Sequence, residues 1–372
     1  MDGDRRGQLA GRIRGELIVA GGAIPFSRFM ELALYQPGCG YYEKPRPVGR
    51  AGDFFTSVSA GSLFGRLLAW EFEVWASEQP FARLTWLECG AHDGRFAEDF
   101  LEASQVWPES MRDRFTYVIL EPSSARRERQ QQRLARFTAS CHWIASWTEL
   151  RAESVEGCVF SNELFDAMPA RRYGWDATQA RWFEWGVTFQ QAGFEWCRLP
   201  LSSERAELLQ QTLVACVDGE VSQVSALEGL LPDAFVVDLS PHPASWWRAA
   251  CGRLARGSRL MAFDYGFGVT DLFHPSRKAG TLRAYCQHRV TDRLLELPGD
   301  QDLTFHVNFD DLQMPGEQCG LLTNYRGPQG RWLGRMVGAG FPLASTDMRQ
   351  FQTLTHPGHM GASHTLLLQA RR

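Results

Sequence analysis

Lysine is nearly absent from this 372-residue chain: it stands only at 44 and 278, and arginine carries almost all the positive charge. With 39 basic against 43 acidic residues and a net charge of −4, the sequence has no basic footprint for nucleic acid. The nine cysteines, at 39, 89, 141, 158, 197, 216, 251, 286 and 319, are odd in number and never spaced Cys-x-x-Cys. That pattern argues against both a disulfide framework and a zinc site, and no metal is expected. Free thiols in a reducing compartment follow, and with them the expectation of a cytoplasmic protein. No apolar run reaches the ~20 residues of a membrane-spanning helix. Residues 1–22 mix Asp2, Asp4 and Glu16 with arginines where a secretory signal would have an apolar core. Neither internal repeats nor low-complexity tracts occur. What remains is ordinary globular composition, 44% hydrophobic and 22% charged, long enough for one large core plus a second lobe or large insertions.

The strongest local pattern is Thr85-Trp-Leu-Glu-Cys-Gly-Ala-His-Asp-Gly-Arg95. Apolar, β-favouring residues run into Glu88, and glycines at 90 and 94 then frame a loop that opens a helix. This is a buried strand, a turn that lets backbone approach a ligand, and a helix start. Open α/β sheets bind ligands in such crevices at the carboxyl ends of strands. A dinucleotide site requires Gly-x-Gly-x-x-Gly so that backbone amides cradle pyrophosphate. Here His92 occupies the second glycine position and Arg95 the third, with Asp93 in the loop and Glu88 before it. A phosphate resists those acids, whereas the ammonium and sulfonium groups of S-adenosylmethionine welcome them. Glu88, Gly90 and Asp93 are therefore candidate cofactor contacts. A second apolar strand, Thr116-Tyr-Val-Ile-Leu-Glu121, ends at Glu121-Pro122. A carboxylate there can accept both ribose hydroxyls through charge-assisted bonds worth roughly 1.5–3 kcal/mol each.

The pattern predicts strands at 84–88, 116–121, 141–144 and 157–161 with helices at 95–104 and 123–135, an alternation that implies a parallel sheet. The fourth strand runs into Ser161-Asn-Glu-Leu-Phe-Asp-Ala-Met-Pro169, setting Asn162, Glu163 and Asp166 at the mouth of the same crevice. Glu163 and Asp166 stand three apart, so a helical turn puts both on one face; a helix N-terminus favours acids there for its own reasons. The expected organisation is an N-terminal helical segment at 1–80, an α/β core at 81–170 and 231–372 with a loop-rich insert at 267–300, and an inserted cap at 171–230. Within the cap, 181–189 and 194–196 read as antiparallel strands and 203–217 as an amphipathic helix. Its tryptophans at 182, 185 and 196 fit either a lobe core or a partner surface. In the second core segment, 235–239, 259–264, 302–308 and 365–368 read as strands.

Seven pieces in order resemble the MidA family, class I methyltransferase-like proteins that include a mitochondrial complex I assembly factor acting on arginine. They are Met30 to Tyr42, Gly52-Asp-Phe-Phe-Thr-Ser57, Leu63-Phe-Gly65, Asn162 to Ala167, Asp264-Tyr-Gly266, Gly280-Thr-Leu-Arg-Ala-Tyr285 and Asp302 to Val307. The resemblance implies a seven-stranded class I (Rossmann-like) methyltransferase core with an inserted α+β subdomain, and S-adenosylmethionine as cofactor. It also implies that Thr56 and Ser57 face the cofactor, that Gly90 and Glu121 hold its methionine and ribose, and that Asn162 and Glu163 line the transfer site. Trp147, after the third strand, is the candidate to stack on adenine. Three positions depart from the family pattern: His92 replaces a glycine, while Ser59 and Asn308 replace acids. The expected activity is methyl transfer to a protein arginine, with Glu163, Asp166 and Asn162 as the catalytic set and a homodimer as a possible assembly. Loss of the two acids leaves a small-molecule acceptor open, as well as an assembly factor that keeps the pocket without the transfer.

Overall fold

The computed structural model describes residues 2–44, 56–191, 193–286 and 289–372. Of the Gly52–Ser57 motif, residues 52–55, Asp53 among them, lie outside them. In chain order the strands are β1 (Ala23–Pro25), β2 (Leu84–Cys89), β3 (Phe115–Leu120), β4 (Cys141–Ile144), β5 (Gly157–Asn162), β6 (Arg171–Asp176), β7 (Arg181–Gln190) and β8 (Gly193–Leu199). They continue with β9 (Val236–Leu239), β10 (Arg259–Phe267), β11 (Arg283–Cys286), β12 (Arg289–Thr291), β13 (Asp302–Thr304), β14 (Val307–Asn308), β15 (Leu321–Pro328) and β16 (His364–Arg371).

The main sheet runs β15-β16-β10-β5-β2-β3-β4, with β14 added on β10. β4, β3, β2, β5 and β10 are mutually parallel, whereas β16 is antiparallel to both β10 and β15. The fold is therefore α/β with a mixed sheet. Side chains alternate across it as a strand's pleat requires. Trp86 and Phe160 face one layer, with Trp86 5.0 Å from Phe160, 4.5 Å from Phe100 and 5.4 Å from Phe72, which lie on the helices Arg95–Ser104 and Leu63–Ser77. Leu87 and Val159 face the other, against Trp247 and Ala250 of the helix His242–Cys251. Burial on both faces explains why these strands read as near-continuous apolar runs.

A second sheet runs β1-β7-β6-β9 with β8 on β7. Two of its strands come from outside the 171–230 segment, which corrects the assignment of 235–239 to the main sheet. The physical reason is a side-chain pair: Asp238, buried on β9, accepts from Arg172 of β6 at 2.9 Å, across an antiparallel register that pairs their backbones. Local pattern identifies a strand without identifying its neighbour. The expected single strand at 302–308 is also two. β13 pairs β11 in a third sheet, β12-β11-β13, and β14 pairs β10 after a break at Phe305–His306. Strand β15 and the helix Asp310–Gln318 escape sequence reading because β15 changes register between Thr323 and Tyr325, breaking its period, and the helix contains Pro315. The N-terminal helices Asp2–Val19 and Phe26–Tyr35 pack on the second and third sheets, through contacts that include Leu9, Phe29, Val187 and Leu303. All nine cysteines are free thiols. Among the described residues no helix is long and apolar enough to cross a membrane.

Candidate active site

Strand register brings the sequence-separated candidates into one row. Cys89 is level with Leu120 on one side and Ser161 on the other, so Gly90, Glu121 and Asn162 leave three adjacent strands side by side. Asn162 is in turn level with Phe263, and Tyr265 with His364, which extends the row through Glu163, Asp264, Tyr265 and His364. A parallel sheet puts all these strand ends on one edge; the antiparallel β16 contributes its start.

At the β2 end, Gly90 has φ +80°, and a Cβ there would come 3.0 Å from Leu164 Cδ1. Gly94, at φ +83°, precedes the helix Arg95–Ser104. Only glycine adopts both conformations without strain. His92, at φ 46°, tolerates the left-handed region less well. The Asp93 carboxylate is 2.8 Å from Arg133; burial pushes it up, but His92 and Arg133 outweigh that and hold it at about 2. Glu88 does not reach the loop as an anion. It is buried and accepts the Tyr117 hydroxyl at 2.7 Å, and burial, opposed by that bond, pushes its pKa up to about 8.

Glu88→Gln tests that neutral acid. The folded protein holds the Glu88 proton up to about pH 8, against an ordinary value of 4.5, so the parent loses stability as pH rises through that window. The amide variant has nothing to titrate. Its melting temperature relative to the parent should climb between pH 4.5 and 8, by an amount equivalent to about 5 kcal/mol, and level off above. A difference that stays flat with pH refutes a buried protonated Glu88.

At the β3 end, buried Glu121 accepts from the Ser123 amide at 2.9 Å and pairs with Arg126 at 2.8 Å, while Gln130 approaches its second oxygen at 3.3 Å. Gln130 also donates to the His92 carbonyl and accepts from Trp143, tying the two loops together. Ribose hydroxyls must therefore share Glu121 with Arg126. Pro122 is exposed beside it. Trp147 opens a short turn after β4 and meets Trp246 edge-on at 5.3 Å; Trp246 meets Phe165 at 5.0 Å.

The β5 end carries the densest chemistry. Glu163 sits at φ 49°, and its Oε1 accepts from the Ser57 amide and from Asn162 Nδ2, both at 3.1 Å. His364 Nε2 lies 3.6 Å from the same oxygen. Ser57 is fully buried, its hydroxyl on Gln329, and Thr56 is locked to Ser59 by reciprocal bonds. Asp166 takes the Tyr265 hydroxyl, and Asp264 accepts the amides of Phe165 and Tyr265 at 2.9 Å each. Burial, reinforced by Glu163 for both and by Asp166 for Asp264, pushes both Asp166 and Asp264 above the usual carboxylate range. His306 stands edge-on to Tyr265 at 5.6 Å, and burial with nearby arginines depresses it to about 4.

Buried polar groups normally have partners, yet Ser161 Oγ, Asn162 Oδ1, Asp166 Oδ1, His306 Nδ1 and His364 Nε2 have no hydrogen-bond partner among the described residues. Five such atoms along one sheet edge are open to hydrogen-bonding groups from beyond the described residues. A ligand with amino, carboxylate and hydroxyl groups supplies them, so these residues fit S-adenosylmethionine and a polar acceptor. Sequence reasoning missed His306, His364, Asp264 and Tyr265 as site residues. Asp264-Tyr265 lay in a matched motif at a strand end and was findable; His364 was not, because only the antiparallel pairing of β16 with β10 brings it there.

Residues 66–326 match the family described as "Putative S-adenosyl-L-methionine-dependent methyltransferase". The mitochondrial protein arginine methyltransferase NDUFAF7 homolog of Drosophila melanogaster is 28% identical, over 97% of this chain and 84% of that protein. The mitochondrial protein arginine methyltransferase NDUFAF7 of Danio rerio is 26% identical, over 81% and 70%. A crystal structure from Burkholderia thailandensis bound to S-adenosyl-homocysteine superposes with a TM-score of 0.83 at 27% identity, covering 99% of this chain and 93% of that one. These relatives overturn the expected cytoplasmic location, since the curated ones are mitochondrial by name; free thiols report a reducing environment and do not distinguish compartments that share one. The cofactor is S-adenosylmethionine. With a family match over most of its length and a strand-end row that fits the cofactor, the chain belongs to the MidA family of S-adenosylmethionine-dependent methyltransferases.

Proposed function

We propose that this methyltransferase modifies an arginine side chain of a protein, and that Glu163, Asp166 and Asn162 form its transfer site. We also propose a class I core of seven strands, with β14 as an accessory, and a cap built around 171–230. The observation that carries the reading is the unpaired pair Asn162 Oδ1 and Asp166 Oδ1 beside the Glu163 carboxylate, a set of acceptors suited to a multi-donor cation. The relatives' names, which specify arginine, support it.

When bound, S-adenosylmethionine supplies a methyl group on a positively charged sulfur, open to in-line displacement. Gly90, Glu121 and Ser57 hold and orient around it, with Thr56, Asp93, Pro122 and Trp147 bordering the cofactor. A guanidinium stays protonated at neutral pH and is a poor nucleophile. Glu163 and Asp166 grip two of its nitrogens and draw the positive charge away from the third, which Asn162 orients. As the new N–C bond forms, the surplus N–H proton leaves for His364 Nε2, next to Glu163. The product remains a cation, so the proton must go to the protein.

Calorimetric titration with S-adenosylmethionine, followed by transfer of labelled methyl into lysate protein and acid hydrolysis, tests this. Tight binding with label recovered as methylarginine is the expected outcome. Label confined to small molecules, or binding without any transfer, overturns the arginine reading.

A further inference from the structure

A half-open cavity of about 600 Å³ lies between the face of the second sheet and the start of the third. Trp185 and Trp196 form one wall, their rings 5.9 Å apart and nearly perpendicular, and the Arg172 guanidinium lies 5.6 Å from the Trp196 ring. Leu282 and Arg283 form the opposite wall, and Asp292 follows β12 on the outer side. The two arginines differ in their bonding. Arg172 is neutralised by Asp238 and also donates to the Ala279 carbonyl at 2.7 Å. Arg283 donates only to carbonyl oxygens, of Leu282 at 2.6 Å and Gly280 at 3.4 Å, and forms no ion pair among the described residues.

This cavity is joined to the transfer site. Asp238 accepts the amides of Thr281 and Leu282 at 2.6 and 3.0 Å, fixing the wall that Gly280 enters at φ +74°. The Thr281 hydroxyl accepts the His306 amide at 3.2 Å, and the Phe305 amide donates to the Asp166 carbonyl at 2.9 Å. One hydrogen bond thus separates the cavity wall from the segment that carries His306 and holds Asp166. Paired aromatics beside a guanidinium that forms no ion pair among the described residues suit a segment with an apolar residue next to a carboxylate: tryptophan gives large contact area, and arginine binds carboxylate with two parallel bonds. A basic flank would meet the Arg283 guanidinium in place of a carboxylate's two bonds and be repelled.

We infer that this groove binds the polypeptide flanking the modified arginine, and that it selects protein segments with apolar and acidic residues beside the target; the inference rests on the arginine reading above. The test uses fluorescein-labelled peptides bound to the full chain saturated with S-adenosylhomocysteine, matched except for Leu-Glu or Leu-Lys in the flank, each with the target arginine present or changed to alanine. The acidic-flank peptides should bind about tenfold more tightly than the basic-flank ones, with or without the arginine. Arg283→Gln should flatten the preference and Arg283→Glu should invert it, with melting temperature and S-adenosylhomocysteine affinity unchanged. No preference in the parent protein overturns the inference without recourse to any variant, and so does an acidic preference that survives in Arg283→Glu. Because the alanine peptides cannot be methylated, their binding is independent of whether arginine is the acceptor. Failure of methylarginine formation, with this preference intact, would count against the arginine reading alone.

Discussion

Glu163→Gln lowers the rate of methyl transfer by about 10³-fold and leaves the affinity for S-adenosylmethionine within about threefold of the parent. The substitution keeps an oxygen able to accept the Ser57 amide and Asn162 Nδ2, both now at 3.1 Å, so the local scaffold survives. What it removes is negative charge, at a site walled off from water, where the proposed substrate carries a persistent positive charge. Single-turnover rates with saturating cofactor are the measurement, paired with a calorimetric affinity. A variant that turns over at the parent rate removes Glu163 from the chemistry. One that loses cofactor affinity along with activity reassigns it to cofactor binding, which the Ser57 contact makes a meaningful outcome.

Glu121→Ala acts on the other end of the row, and its effect divides into two parts. Loss of a carboxylate that accepts ribose hydroxyls should weaken cofactor binding by about 10²-fold or more, from bonds worth roughly 1.5–3 kcal/mol each. Separately, Arg126 loses the partner it holds at 2.8 Å while remaining mostly buried, which destabilises the fold by about 2–4 kcal/mol. Adding Arg126→Ala separates these. The double variant should regain much of the lost melting temperature, because a buried guanidinium left with only the more distant Glu43, at 4.0 Å, is gone, and should remain as weak a cofactor binder as the single variant. Cofactor affinity restored by the second substitution would show that Glu121 serves only to hold Arg126.

Much of the main sheet was legible from local pattern. The runs at 84–89, 115–120 and 157–162 are apolar because their strands are covered on both faces, and the glycines at 90 and 94 announce a loop with positive φ. Charge was less legible than position. Glu88 looks in sequence like a carboxylate waiting for a cation, yet burial beside Tyr117 makes it a neutral acid at pH 7. Asp93 looks equivalent and is held ionised, first by the adjacent His92 and then by Arg133, which reaches it from a helix 40 residues away in the chain. A protonation state depends on solvent exclusion and on neighbours, many of them from other elements, and these are only partly written in the residue's own surroundings in sequence.

By itself the sequence determined the strand–loop–helix unit around Gly90, the acids that close its strands and the family they belong to, because each of these is a run of adjacent residues whose periodicity and motif survive without the fold. Only the tertiary structure decided that β9 leaves the main sheet for the second, that 302–308 divides between two sheets, and that His306 and His364 join Glu163 and Asp166. Those outcomes depend on which strand lies beside which, and pairing between distant segments is set by burial and by buried polar partners such as Arg172 and Asp238, whose energy exists only once the chain has closed on itself.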